Sequence, residues 1–369
     1  DIFRRDLNSF NFFNNQRNTT YQQATTGFQL RLGVPVNEYI YFQARYGLSQ
    51  DDISLDENTF FSGNPPTCDP IRAGRFLCDA IGKRLTSSLG YTLLYDHRDN
   101  RIRPTRGQSL GISQDFAGLG GSVKYIKTRV NADKYWKPFG NFVFGLSFEG
   151  GYIHPLENRG LAGIDDVRLT DRFYLGEPQM RGFDIRGVGP RVQRIFQEGK
   201  IVNGVAVNNP ITDRNQIQDD AIGGRFYYMG RAELQIPLGS GARELGLRPS
   251  LFVDVGSVFD VTRPVLQSVQ QREVLADGTQ GGLLYYFVDS AGALQTSTTA
   301  VNGDGSARVA AFRFKEEFLG DTWKPRLSVG FGVNWNSPFG PFRIDIARAL
   351  LKQPGDDTKL FTFNVGTQF

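Results

Sequence analysis

Long apolar runs are missing from this sequence. No stretch of its 369 residues approaches the roughly 18 consecutive apolar residues that carry a helix across a bilayer, which excludes an α-helical membrane protein. Histidine, cysteine and methionine are scarce, at 2 each. His97 and His154 lie far apart and far from both cysteines, and neither sits in a nucleophile arrangement, so no zinc site, cofactor or enzymatic centre is expected. A one-sided charge is missing as well: 42 basic against 38 acidic residues leave +4. A dedicated nucleic-acid binder concentrates its basic charge, so nucleic acid is not an expected partner. No signal peptide opens the chain, and Asp1-Ile2-Phe3 reads as the middle of something, a mature, truncated or partial chain.

Glycine (43) and phenylalanine (30) are abundant, which favours strands and turns. Strict alternation is the strongest local signal. Phe142, Phe144, Leu146, Phe148 and Tyr152 share one face, against Gly145, Ser147, Glu149 and Gly151 on the other. The same period places Leu85, Leu89, Tyr91, Leu93 and Tyr95 together, and likewise Leu327, Val329, Phe331, Val333 and Trp335. The last segment puts Phe361, Phe363, Val365 and Phe369 opposite Thr362, Asn364, Gly366 and Gln368.

About twelve strands follow, near 1–10, 26–35, 38–50, 84–97, 107–117, 122–136, 140–154, 224–238, 247–259, 325–336, 340–350 and 359–369. A soluble sandwich also alternates, but it does not leave Arg, Glu and Gln on the face opposite bulky aromatics. Tight turns alternate with long connectors at 51–83, 155–223 and 260–324, as in barrels with short periplasmic turns and long external loops. The expected fold is therefore all-β, a transmembrane antiparallel β-barrel occupying residues 1–369 as one domain. The acid pairs Asp51-Asp52, Asp165-Asp166 and Asp219-Asp220 read as solvated loop residues, and Asn302-Gly303-Asp304-Gly305 as a turn. Cys68 and Cys78, between Pro and Gly residues, suit a disulfide in an oxidising compartment, with two unpaired thiols as the alternative.

One long connector carries G-E-P-Q-M-R-G-F-D-I-R-G-V-G-P-R from Gly176 to Arg191. Met180-Arg181-Gly182-Phe183 and Gly189-Pro190 resemble motifs of the BamA-type outer-membrane assembly barrels. Leu32 to Tyr39, Asp96 to Gly107, Ala232-Glu233-Leu234, Phe252 to Gly256 and Val333 to Pro341 agree with that family in order, so the resemblance covers nearly the whole chain. It implies a sixteen-strand barrel preceded by POTRA modules, of which this chain carries about twelve strands, beginning near the family's fifth. A sealed twelve-strand barrel is not expected.

The resemblance further implies that the 155–223 loop folds into the lumen, with Arg181 contacting acids on the wall. Alternation independently turns Glu233 and Asp254 inward. The bland alternative is a surface turn shaped by Arg181 and its glycines. Gly182 suits a close backbone approach, and Phe183 a wedge against the wall; Arg186 and Arg191 are ambiguous. The last strand, with Phe361, Phe363, Val365 and Phe369, is implied to be an assembly signal and one side of a lateral seam. Gly366 matches the family's inward kink, or is an ordinary small lumen residue.

The function so implied is non-enzymatic folding and insertion of β-barrel proteins in the bacterial outer membrane. Expected partners are unfolded barrel clients, outer-membrane lipid, and accessory assembly lipoproteins reached through POTRA modules. The rivals are a two-partner-secretion or translocation-type relative with few clients, a passive outer-membrane channel, and a structural adhesin barrel.

Overall fold

The computed structural model describes residues 1–13, 16–238, 246–337 and 340–365. Among these, twelve strands form one antiparallel sheet in which every strand pairs with its sequence neighbours. They are β1 (Ile2–Phe13), β2 (Gln16–Pro35), β3 (Ile40–Ser54), β4 (Gly82–Asp96), β5 (Gly107–Ala117), β6 (Tyr125–Trp136), β7 (Val143–Pro155), β8 (Phe226–Gln235), β9 (Leu247–Phe259), β10 (Arg326–Ser337), β11 (Gly340–Leu351) and β12 (Phe361–Val365). No ladder joins β1 to β12 among the described residues.

The period of two explains the wall. Alternate side chains point to opposite faces, and here the outward face is apolar and exposed: Leu30, Leu32, Leu93, Phe148, Phe331 and Ile344 all lie open. The inward face is polar and cross-linked. Arg45 Nε donates to Asp115 at 2.6 Å, and Ser109 Oγ to Asp133 at 2.9 Å. This inversion of a soluble core suits hydrocarbon outside and a polar lumen inside. Aromatic clusters mark both ends of the outward face. Trp136–Phe144 and Trp335–Phe342, with centroids 4.9 and 5.6 Å apart, lie by the short turns; Tyr152–Phe226 and Phe226–Phe259, at 5.9 and 5.1 Å, lie by the long connectors. Among the described residues no helix is long and apolar enough to cross a membrane.

Eleven of the twelve expected strands keep close to their sequence bounds, whereas β2 starts ten residues early, at Gln16, and pairs with β1 through a bulge at Ser9/Phe10. The final strand is described from Phe361 to Val365; Gly366 and Phe369 lie outside the described residues.

The long connectors all leave one end of the wall and fold over it. A five-stranded sheet is built from 191–202, 205–210, 217–221, 268–270 and 312–319. Beneath it Tyr21, Ile53, Leu77, Leu169, Val192 and Ile222 form a buried cluster. The Cys68–Cys78 disulfide staples the 55–81 connector, with Cα atoms 5.6 Å apart.

The acid pairs correct the sequence reading. Asp51 and Asp52 belong to β3, where Asp51 accepts from Thr25 Oγ1 at 2.6 Å. Asp165 is buried, accepting the backbone N–H groups of Val167 (2.8 Å) and Thr262 (2.7 Å). Asp219 lies in the 217–221 strand and pairs with Arg191 at 2.7 Å. Long connectors that fold into sheets of their own bury polar residues that a bare loop would leave in water. The Asn302–Gly305 turn is present, closed by Gly305 N donating to Asn302 O at 3.0 Å.

Candidate functional site

Between β7 and β8 the chain turns back into the lumen at Gly176–Gly189. Met180, Arg181 and Phe183 are all buried, so a connector carries several of the largest fully buried side chains among the described residues. Arg181 is 2% exposed and is held on both sides of its fork. Its Nε and Nη2 donate to Asp254 Oδ2 and Oδ1 at 2.8 and 2.7 Å, and its backbone N–H donates to Oδ2 at 3.1 Å. Nη1 donates to Glu233 Oε2 at 3.0 Å. Two parallel bonds to one carboxylate fix the guanidinium plane as well as its position. Burial pulls the Arg181 guanidinium down, and the carboxylates of Asp254, Glu233 and Asp345 together more than reverse this, so the net direction is up.

Glu233 and Asp254 thus stand where alternation placed them, brought together on adjacent strands with Arg181. Three further charges were not read from the sequence. Arg231 Nε donates to Asp254 Oδ1 at 3.0 Å; Arg343 Nε donates to Asp345 Oδ2 at 2.9 Å and its Nη2 lies 3.5 Å from Glu233; Asp345 lies 3.8 Å from Arg181 Nη1. Three cations and three anions therefore share one dehydrated patch. Phe252 supplies its floor: the Arg181 Cζ lies 3.3 Å from the ring centroid. Room for that ring comes from β10, where a Cβ on Gly330 would lie 2.5 Å from Phe252 Cζ.

Gly182 has φ +83°, a conformation natural to glycine, and a Cβ there would sit 2.9 Å from the Ser328 Cβ. Ser328 Oγ donates to the Arg181 carbonyl at 2.5 Å. Phe183 bridges Thr358, with Asp184 N donating to Asp357 O at 3.0 Å and Lys359 N to Gly182 O at 3.2 Å. The motif is thereby tied to the 352–360 connector that leads into β12. That connector is pinned in turn by Arg326 and Asp356, both wholly buried, with Nε donating to Oδ2 at 3.0 Å and Nη2 to Oδ1 at 3.1 Å. Arg191 joins the same region through Gly355 O at 2.8 Å, and Arg186 stacks on Tyr174 with Cζ 4.4 Å from the ring centroid.

Phe361, Phe363 and Val365 are exposed on the outward face of β12, apart from this cluster. Cys68 and Cys78 are also remote from it, within the dome. The arrangement locks a loop and the approach to the last strand onto the lumen wall.

The Omp85 superfamily domain matches residues 2–369. The chain belongs to the Omp85 superfamily. Among its Omp85 relatives, outer membrane protein assembly factor BamA of Neorickettsia risticii is 27% identical over 293 residues, 79% of this chain and 28% of that protein. BamA of Neisseria meningitidis is 24% identical over 358 residues, 95% of this chain and 37% of that protein. The human sorting and assembly machinery component 50 homolog is 29% identical over 186 residues, 49% of this chain and 33% of that protein. This Omp85 chain thus spans roughly a third of the length of those relatives. The crystal structure of BamA from Haemophilus ducreyi lacking POTRA domains 1–3 superposes with a TM-score of 0.60 at 19% identity, covering 98% of this chain and 57% of that one. The fold is that of an outer-membrane β-barrel.

Proposed function

We propose that this chain is the barrel part of an outer-membrane assembly factor, which folds and inserts other β-barrel proteins without enzymatic chemistry. The observation that carries the reading is the motif loop clamped onto the lumen wall, with Arg181 forked onto Asp254 and bonded to Glu233. The last strand pairs with β11 from Phe342↔Val365 to Ile346↔Phe361, and in the proposed mechanism its other edge is the one offered to clients. An open strand edge offers a row of backbone donors and acceptors to an incoming strand. The apolar outward face beside it, Phe361 and Phe363, would meet lipid while pairing proceeds. The driving force would be burial of client apolar surface and closure of its backbone hydrogen bonds, so no nucleotide is required.

The relatives' names support the same reading: BamA is named as an assembly factor and its human relative as a sorting and assembly component. Unfolded barrel proteins are the proposed clients, with accessory lipoproteins engaged through parts of the full-length protein beyond this barrel. The proposed location is the bacterial outer membrane; the human relative extends the family to sorting and assembly machinery outside bacteria.

Depletion of the full-length parent protein, with rescue by wild type or Arg181→Ala, tests the proposal. Levels of unrelated outer-membrane barrels should fall together on depletion, and Arg181→Ala should rescue poorly. Normal levels of those barrels would overturn it in favour of a few-client translocation relative or a passive channel. The channel predicts large, steady conductance, whereas a lumen filled by Met180, Arg181 and Phe183 should conduct little.

A further inference from the structure

In mid-sheet, between β5 and β7, the outward face carries a trough with a cation at its foot. The outward positions of β6 are Thr128, Val130 and Ala132, all half-buried, and then Lys134, which is exposed. The ladders set Ala132 between Leu110 on β5 and Phe148 on β7, and Lys134 between Gln108 and Leu146. Leu110 and Phe148 stand 51% and 48% exposed on either side of the Ala132 methyl. One step further from the short turns, Val130 lies between Ile112 and Gly150. The Phe148 ring leans over that glycine, 3.5 Å from where its Cβ would be. Two bulky ridges therefore flank a lower strand.

Lys134 is the odd member of this face. On β4 to β9 the other outward positions toward the short turns hold no lysine, arginine, aspartate or glutamate among the described residues. No hydrogen bond or carboxylate engages its ammonium among them either. A charge on a lipid-facing strand carries a penalty that falls toward the interface. A lysine relieves it by laying its methylenes on apolar neighbours and its ammonium among polar headgroups. Trp136 and Phe144, whose ring centroids lie 4.9 Å apart one step below, mark that interface. The lipid phosphate supplies an anion at this depth, and the Gln108 amide across the ladder is a second donor to it.

We infer that Lys134 and Gln108 seat the phosphate of one glycerophospholipid, with an acyl chain lying in the trough over Ala132 and Val130 between Leu110 and Phe148. The charge at the foot fixes the headgroup, and the ridges fix the chain. β5, β6 and β7 are each paired on both sides, so the seat is complete within the described wall. It needs only that the outward face meets lipid, and it stands whether or not the protein assembles other barrels.

Native mass spectrometry of the folded full-length protein tests this, with phosphatidylglycerol or with diacylglycerol of the same chains as probes. Wild type should retain one phosphatidylglycerol that Lys134→Gln binds about tenfold more weakly, the loss of a charge-assisted bond. Lys134→Arg should retain it. Ala132→Phe fills the trough and leaves the cation, and should weaken the lipid as well. Diacylglycerol should not tell wild type from Lys134→Gln. Equal phosphatidylglycerol retention by wild type and Lys134→Gln, each shown folded by heat-modifiable migration, would overturn the inference. So would unchanged retention by Ala132→Phe, or displacement of the lipid by millimolar glycerol 3-phosphate, which would make this a free-anion site.

Discussion

The guanidinium carbon of Arg181 lies 3.3 Å from the centre of the Phe252 ring, while its edge is forked onto Asp254. The motif arginine is therefore held in two directions at once, by a face and by an edge. A desolvated cation–π contact contributes about 2 kcal/mol. Phe252→Leu keeps the ion pairs and removes the ring, and should lower stability by about 1–3 kcal/mol. The measurement is the temperature at which the compact, heat-modifiable form is lost. No shift would show that the stacking contributes nothing.

The two wall acids are unequal. Asp254 takes four hydrogen bonds from Arg181 and Arg231, whereas Glu233 takes one from Arg181 and lies 3.5 Å from Arg343. Asp254→Asn should therefore cost about 3–5 kcal/mol, the range for breaking a buried ion pair, and Glu233→Gln clearly less. Equal losses in the two variants would sink this ranking.

Asp356 and Arg326 hold the approach to β12. Because both are fully buried, Asp356→Asn leaves an uncompensated guanidinium and should release the 352–360 connector. Limited proteolysis should then cut within 352–360 while the β-sheet signal persists. An uncut connector in the variant would argue that Asp184, Gly187 and Gly182 hold it unaided.

In the 156–225 connector, burial raises the Asp171 carboxyl to about 6, opposed by Lys127. Its folded value lies above the ordinary carboxylate value of about 3.9. The folded protein then binds this proton more tightly than the unfolded chain, so the stabilisation is full below about pH 4 and is lost as pH rises through about 6. Hydrogen exchange around 165–175 should quicken from pH 4 to pH 7 beyond its intrinsic dependence, and Asp171→Asn should abolish the excess. The same excess in the variant would assign the effect elsewhere.

The 55–81 connector is stapled by a disulfide with sequence separation 10 and docked by Asp79, next to Cys78, onto Arg159 at 2.5 and 2.7 Å. Closing so short a loop restricts the unfolded chain by about 2–3 kcal/mol. Reduction should raise protease cleavage at 61–78 several-fold and leave the strand ladders intact. Unchanged cleavage would mean that the buried Phe60, Ala73 and Leu77 suffice.

Much of the wall was legible because a strand's period leaves its mark in the residues themselves. Parity turned Glu233 and Asp254 inward, and the motif supplied the cation between them. Parity also turns Arg231 and Asp345 inward, but it gives no depth, so nothing in it selects these from the other polar lumen residues. Phe252 and Gly330 were invisible for a different reason: a bulky inward aromatic opposes the outward-aromatic rule, and its meaning lies in a glycine on the next strand. The pairing of Asp356 with Arg326 joins a connector to a strand end, where no period operates. Asp165 and Asp219 misled because local polarity cannot report that a connector builds its own sheet.

The charges of the patch also fix what kind of hole its loss would leave. The loop contributes Arg181 alone, while the wall contributes Arg231 and Arg343 against Glu233, Asp254 and Asp345. Withdrawing the loop takes Arg181 with it and leaves the wall side of this patch one charge negative. Around that patch the potential then turns from balanced to cation-attracting, so Arg181→Gln should shift ion selectivity toward potassium relative to wild type.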